Sequence, residues 1–122
     1  MFKVLVTDKL SKEGVEILSQ EKEMQIDVVE TLSKDELLKV IKDYHAIIVR
    51  SQTKLTADVL SAGINLKAIG RAGVGLDNVD IPQVTKQGII VMNAPSGNTV
   101  STCEHAFSLM LSLARNIPQA DK

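Results

Sequence analysis

Five short aliphatic runs, each followed by a segment with helical spacing, set the strongest limit on how this chain can fold. The runs are Phe2 to Val6, Met24 to Val29, Ala46 to Val49, Lys67 to Gly70 and Ile89 to Met92. Parallel strands cannot be joined by a tight turn and need a crossover, which a helix supplies, so the alternation predicts an α/β fold built on a doubly wound parallel five-stranded sheet. Aromatic residues make up only 2% of the 122 residues. The core must therefore come from Val, Ile, Leu, Met and Ala, as suits strands covered by helices, and the continuous run Ala46 to Val49 reads as a strand buried on both faces.

Helix boundaries are written locally. Ser11 is placed to cap a first helix carrying Val15, Ile17 and Leu18, and Ser33 with Glu36 has the spacing of a capping box. Thr56 caps a third helix that Gly63 ends, and Asp80 with Pro82 opens a fourth that Gly88 closes. Asp8 either caps the first helix or ends strand one, while Asp77 and Asp80 serve a turn and a cap. Asn93 to Asn98 is a turn-rich linker and a candidate boundary, dividing the chain into residues 1–98 and 99–122. From Thr99 to Arg115 runs a helix whose polar residues fall on one narrow stripe, Ser101, Glu104, His105, Ser108, Ser112 and Arg115. So wide an apolar surface calls for a second domain or a second subunit, and the chain is expected to be one end of a larger protein.

Net charge is −1 with both signs interspersed, which speaks against a nucleic-acid partner. Neither a secretory leader nor a membrane span is evident, so no membrane partner is expected. One cysteine, Cys103, fits a reducing, cytoplasmic setting and reads as a buried apolar residue. His105 has no second ligand at metal spacing, no metal is expected, and His45 reads as a solvated turn residue.

Ligands of doubly wound sheets bind beyond the carboxyl ends of the strands. Arg50 and Ser51 follow strand three, Arg71 to Gly75 follow strand four, and Asn93 to Asn98 follow strand five. Two guanidinium forks and a run of glycine-flanked amides on one edge suit an anion with more than one charged group. The segment "GRAGVGLDNVD" is not a dinucleotide turn. Gly73 and Gly75 start a Gly-x-Gly-x-x-Gly pattern, but its third position is Asn78, and no helix can start before about Asp80.

The segments "IIVRSQTKLTADVL", "AIGRAGVGLDNVDI" and "GIIVMNAPSGNTVSTCEHAFSLMLSLAR" together resemble the amino-terminal part of the D-isomer-specific 2-hydroxyacid dehydrogenases, and among these the members that act on 3-phosphoglycerate. The resemblance implies a flavodoxin-like substrate domain, a separate Rossmann unit for the cofactor NAD, and oxidation of 3-phosphoglycerate to 3-phosphohydroxypyruvate, the entry to serine biosynthesis. It implies that Arg50 and Ser51 contact substrate phosphate or carboxylate. Ala72 and Gly73 would be backbone donors to the carboxylate beside the reacting carbon, supported by Arg71. Val74, Asn98 and Thr102 would line the nicotinamide side, and the helix from Thr99 would be an interdomain helix that also packs in a homo-oligomer. The family's catalytic arginine, glutamate and histidine belong to its distal part. No catalytic residue is therefore assigned to this chain, which is expected to be inactive alone. Two rivals remain from the residues: a non-catalytic anion-binding or oligomerisation module, and a phosphoryl-accepting receiver domain. The receiver would require an aspartate after strand three and a lysine after strand five, where Arg50 and Asn93 stand. A third alternative lies within the family, a relative acting on glycerate or glyoxylate.

Overall fold

The computed structural model describes residues 1–122. Five strands, β1 (Phe2–Val6), β2 (Met24–Val28), β3 (Ala46–Val49), β4 (Ala68–Arg71) and β5 (Ile90–Asn93), form one parallel sheet in the order β2-β1-β3-β4-β5. This is the flavodoxin-like order. Between the strands lie α1 (Lys12–Ser19), α2 (Lys34–Val40) with a following 3-10 turn (Ile41–Asp43), α3 (Ala57–Ala62) and α4 (Ile81–Gln87); α5 (Thr99–Arg115) and α6 (Ile117–Ala120) end the chain.

Local signals set the helix starts. Ser11 accepts from the Gly14 amide at 3.2 Å, Ser33 and Glu36 form the reciprocal capping box, and Asp80 accepts from the Gln83 amide at 3.0 Å. Each satisfies an amide that the first helical turn leaves without a partner. Thr56 stands at the cap position of α3, but its hydroxyl binds the Asp58 carboxylate and no backbone amide. Gly88 ends α4 at φ 70°, in the left-handed region that glycine enters without penalty.

The core lies on the face covered by α2, α3 and α4, where Leu5, Ile47, Val49 and Ile69 from the sheet, with Ile89 just before β5, meet Leu37, Val59, Leu60 and Val84. On the opposite face α1 packs along β2, and the half of the sheet toward β5 is open: Ile90 and Met92 are exposed. Strand β3 therefore alternates. Ile47 and Val49 are buried while Ala46 and Ile48 are only half-buried, so the expectation of burial on both faces fails for want of a covering helix. Strands β4 and β5 each sit one residue later than read from the sequence. The ladder pairs Val49 with Arg71 and Arg71 with Asn93, which draws both polar residues into the sheet.

Helix α5 buries none of its residues and packs chiefly against α6. Cys103, expected to be buried, is consequently exposed, because the helix that carries it stands clear of the sheet. No helix is long and apolar enough to cross a membrane.

Candidate functional site

The carboxyl ends of β3, β4 and β5 enclose a cleft of about 370 Å³ lined by Arg50, Arg71, Ala72, Gly73, Val74, Ala94, Gly97 and Asn98. Six of the eight residues singled out from the sequence thus meet in one place. Ser51 borders a neighbouring polar cleft of about 280 Å³, together with Asp8, Lys9, Arg50 and Gln52, so Arg50 forms a wall of both. Thr102 is not part of either. It lies on the exposed α5, where its amide donates to the Asn98 carbonyl at 2.9 Å. A larger hollow of about 520 Å³ beside the ends of β1 and β2 is lined by both Lys9 and Glu30 and lacks any arginine.

Arg71 is held in the first cleft by its position as the last residue of β4. Its guanidinium folds over Gly73, where the Cβ of any other residue would overlap it, and its Nε is buried without a partner. An unpaired buried donor on a cation is costly, and an anionic oxygen in the cleft would relieve it.

The backbone donors are not the ones expected. The Ala72 amide donates to the Val49 carbonyl at 2.8 Å, continuing the β3–β4 ladder, and the Gly73 amide closes a tight turn onto the Arg71 carbonyl at 2.8 Å. Both are spent. The next two amides, Val74 and Gly75, donate to no backbone carbonyl. The loop is braced from β5, since Asn93 donates its side-chain amide to the Val74 carbonyl at 2.8 Å and the Ala94 amide donates to the Gly73 carbonyl at 2.9 Å. With two carbonyls of the loop turned toward β5, the free Val74 and Gly75 amides are the backbone donors available to a ligand.

Asp8, read from the sequence as a local residue, is a long-range hub. It is only 4% exposed and takes four hydrogen bonds: Arg50 N (3.0 Å), Thr53 N (2.8 Å), Thr53 Oγ1 (2.6 Å) and Thr31 Oγ1 (3.0 Å). Burial by itself raises its pKa, but the bonds from Thr53, Arg50 and Thr31 together outweigh that and hold the carboxyl below the usual carboxylate range. Asn78, the residue that breaks the glycine pattern, is also 4% exposed, and its Nδ2 donates to the carbonyls of Arg50 (2.6 Å) and Thr53 (2.8 Å). His45 is half-buried and accepts from the Lys3 amide at 3.0 Å with its ring edge-on to Phe2, away from both clefts.

Fold and cleft together define an α/β protein with a cationic, amide-lined site at the carboxyl edge of its sheet. Residues 4–116 match the catalytic domain of the D-isomer-specific 2-hydroxyacid dehydrogenases, and the chain belongs to that family. It is 49% identical over 122 residues to a D-3-phosphoglycerate dehydrogenase of Synechocystis sp. and 51% identical over 120 residues to one of Archaeoglobus fulgidus. These alignments take in 100% and 98% of the chain but 22% and 23% of the two relatives. Among solved structures, an NAD+-bound 3-phosphoglycerate dehydrogenase of Entamoeba histolytica superposes with a TM-score of 0.78 at 30% identity, over 91% of this chain and 38% of that one.

Two outcomes follow from the geometry. Gly73 has no left-handed φ, and its neighbour is the far end of a flexible side chain. Gly73→Ala should therefore keep its thermal midpoint within a few degrees while swinging Arg71 out of the cleft, and calorimetric titration should show anion affinity falling roughly tenfold, the size of one charge-assisted bond. The second concerns acid. With its folded pKa below the ordinary 3.8, ionised Asp8 contributes stability that is complete above that value and is lost as pH falls through the folded pKa. Urea unfolding followed from about pH 6 to about pH 2.5 should show this loss, and Asp8→Asn should flatten that part of the curve while lowering stability at neutral pH by about 1–3 kcal/mol.

Proposed function

We propose that this chain is the substrate-binding part of an NAD-dependent D-3-phosphoglycerate dehydrogenase, with Arg50, Ser51, Arg71 and the Val74 and Gly75 amides holding the phosphorylated hydroxy acid. The observation that carries this reading is the convergence of Arg50 and Arg71 on one cleft that is also lined by Val74, whose amide is unspent, with the unspent Gly75 amide next in the chain. Arginine forks and free amides bind carboxylate and phosphate oxygens and have little use for a neutral ligand. The identities near 50% to D-3-phosphoglycerate dehydrogenases support the substrate class.

NAD, when bound, supplies the hydride acceptor. Val74 and Asn98 both line the cleft and suit the nicotinamide end, whereas Thr102 lies outside it on α5. For the pyrophosphate this chain offers no turn: its glycine run lies in β4 and the loop after it, and α4 begins only at Ile81. The chain's own residues therefore orient the substrate, fixing the hydroxyl-bearing carbon by gripping the groups on either side of it. Positioning of this kind is catalytic work, since a misplaced reacting carbon costs on the order of 10²-fold in rate.

Calorimetric titration of the purified chain tests the reading. 3-Phosphoglycerate should bind, D-glycerate should bind more weakly for lack of a phosphate, NAD should give no heat, and mixing all components should give no turnover. Arg50→Ala should abolish most of the phosphoglycerate signal. Equal affinity for phosphoglycerate in the wild type and Arg50→Ala would remove Arg50 from the site, and absence of any binding would overturn the assignment. The apolar surface of α5, with Val100, Phe107, Met110 and Leu113 all more than half exposed, is proposed to pack against a second copy of the chain. Sedimentation should show a dimer that Phe107→Asp converts to monomer; a monomeric wild type would reject the pairing.

A further inference from the structure

We propose that Asp8 and Asn78 are positioning residues that pin both ends of the loop from Arg50 to Thr53, hiding the carbonyls of Arg50 and Thr53 and leaving the tip amides of Ser51 and Gln52 to the anion. The inference rests on the anion site described above and assigns to it two residues that touch no ligand. Every inward backbone group at the two ends of the loop is matched. Asp8 Oδ2 accepts from the amides of Arg50 and Thr53, and Asn78 Nδ2 donates to the carbonyls of the same two residues. The Ser51 carbonyl is covered by Lys54 Nζ at 3.3 Å. What the tip leaves free are donors: the amides of Ser51 and Gln52 donate to no carbonyl, and the Arg50 side chain is exposed. An anion arriving at Arg50 and Ser51 meets two unspent N–H groups while the carbonyls of Arg50, Ser51 and Thr53 are engaged elsewhere, an arrangement related to backbone anion nests.

The choice of side chains at the two ends is chemically specific. Asn78 could not be turned over, because its Oδ1 would then face two carbonyl oxygens; that oxygen stays buried without a partner as the cost of placing both donors. Nor could the residue be an aspartate. Asp8, for its part, faces two amides at Oδ2 and two hydroxyls at Oδ1; an asparagine could meet the hydroxyls with its Nδ2 only by turning both of them round, and it would lose the charge that strengthens the amide bonds. Aiming the carboxylate takes backbone strain: Asp8 and Lys9 are consecutive non-glycine residues in the left-handed region, at φ 67° and 51°. Because Asp8 lies just beyond β1 and Asn78 in the loop after β4, the clamp also sets the Arg50 loop in register with the one that carries Val74 and Gly75. The isolated bridge of Leu55 to Val79 continues that registration one step further.

The test is amide NMR of the purified chain titrated with 3-phosphoglycerate and, separately, inorganic phosphate, alongside thermal unfolding of each variant. Wild-type Ser51 and Gln52 amide resonances should move on titration. Asp8→Asn and Asn78→Asp, measured well below their melting temperatures, should bind roughly tenfold or more weakly. Thr53→Val, a milder change that removes one leg of the clamp, should weaken binding less, and Thr53→Ser should restore it. Tyr44→Phe removes a bond of similar length, 2.9 Å to Asp27, remote from the loop, and should lower the melting temperature without changing affinity. Undiminished binding by folded Asp8→Asn, Asn78→Asp or Thr53→Val would overturn the positioning role alone. Wild-type amides that ignore both ligands would overturn the anion reading, and the positioning role with it.

Discussion

The reversal of winding between β1 and β3 is the constraint on which the remainder of the molecule rests. From β1 the chain goes outward to β2, then crosses back to β3 on the other side of β1, so the loops leaving β1 and β3 part in opposite directions and open a crevice between them. In folds of this kind that crevice is where ligands enter. Here the Asp8 carboxylate lies across it, tying the end of β1 to the amides of Arg50 and Thr53. The larger of the two clefts lined by Arg50 is thereby moved one strand along, to the ends of β3, β4 and β5.

That displacement joins the fold to its chemistry. A carboxylate at the back of the proposed anion site would ordinarily repel the ligand, but Asp8 has its charge distributed over four donors and is almost entirely out of solvent. The same bonds that neutralise it set the direction of the Arg50 loop. Stability and recognition therefore draw on one set of contacts. Acid that protonates Asp8 removes the brace of the fold and the alignment of the loop together.

Most of the architecture could be read from the residues because the signals were local or strongly periodic. The aliphatic runs located all five strands to within a residue, and Ser11, Ser33 with Glu36, and Asp80 located three helix starts, since a cap and the amide it serves are at most three residues apart. The clamp was not legible, because the partners of Asp8 stand 42 and 45 residues away and those of Asn78 stand 28 and 25 away. Asn78 registered only as the residue that spoils a glycine pattern. The assignment of donor amides to Ala72 and Gly73 went astray for a related reason: which amides are free depends on where the β3–β4 ladder ends, and it ends one residue later than the aliphatic run suggests. Cys103 was misjudged through its helix, since an apolar surface states that a helix wants neighbours and not whether this chain supplies them.

The position of Arg50 bears on the kind of ligand. It borders the cleft that holds Arg71 and Val74, and also the polar cleft where Lys9, Ser51 and Gln52 stand. A ligand with a single anionic group would satisfy one of these donor sets and leave the other hydrated. A short molecule with a carboxylate at one end and a phosphate at the other can use both, with Arg50 shared between them and the carbon that carries the hydroxyl held in the middle. In the proposed site the cost of ordering such a ligand would be spread over two charge-assisted contacts, one on a loop braced by β5 and the other on the loop held by Asp8 and Asn78, so that little of the binding free energy would go into arranging the backbone.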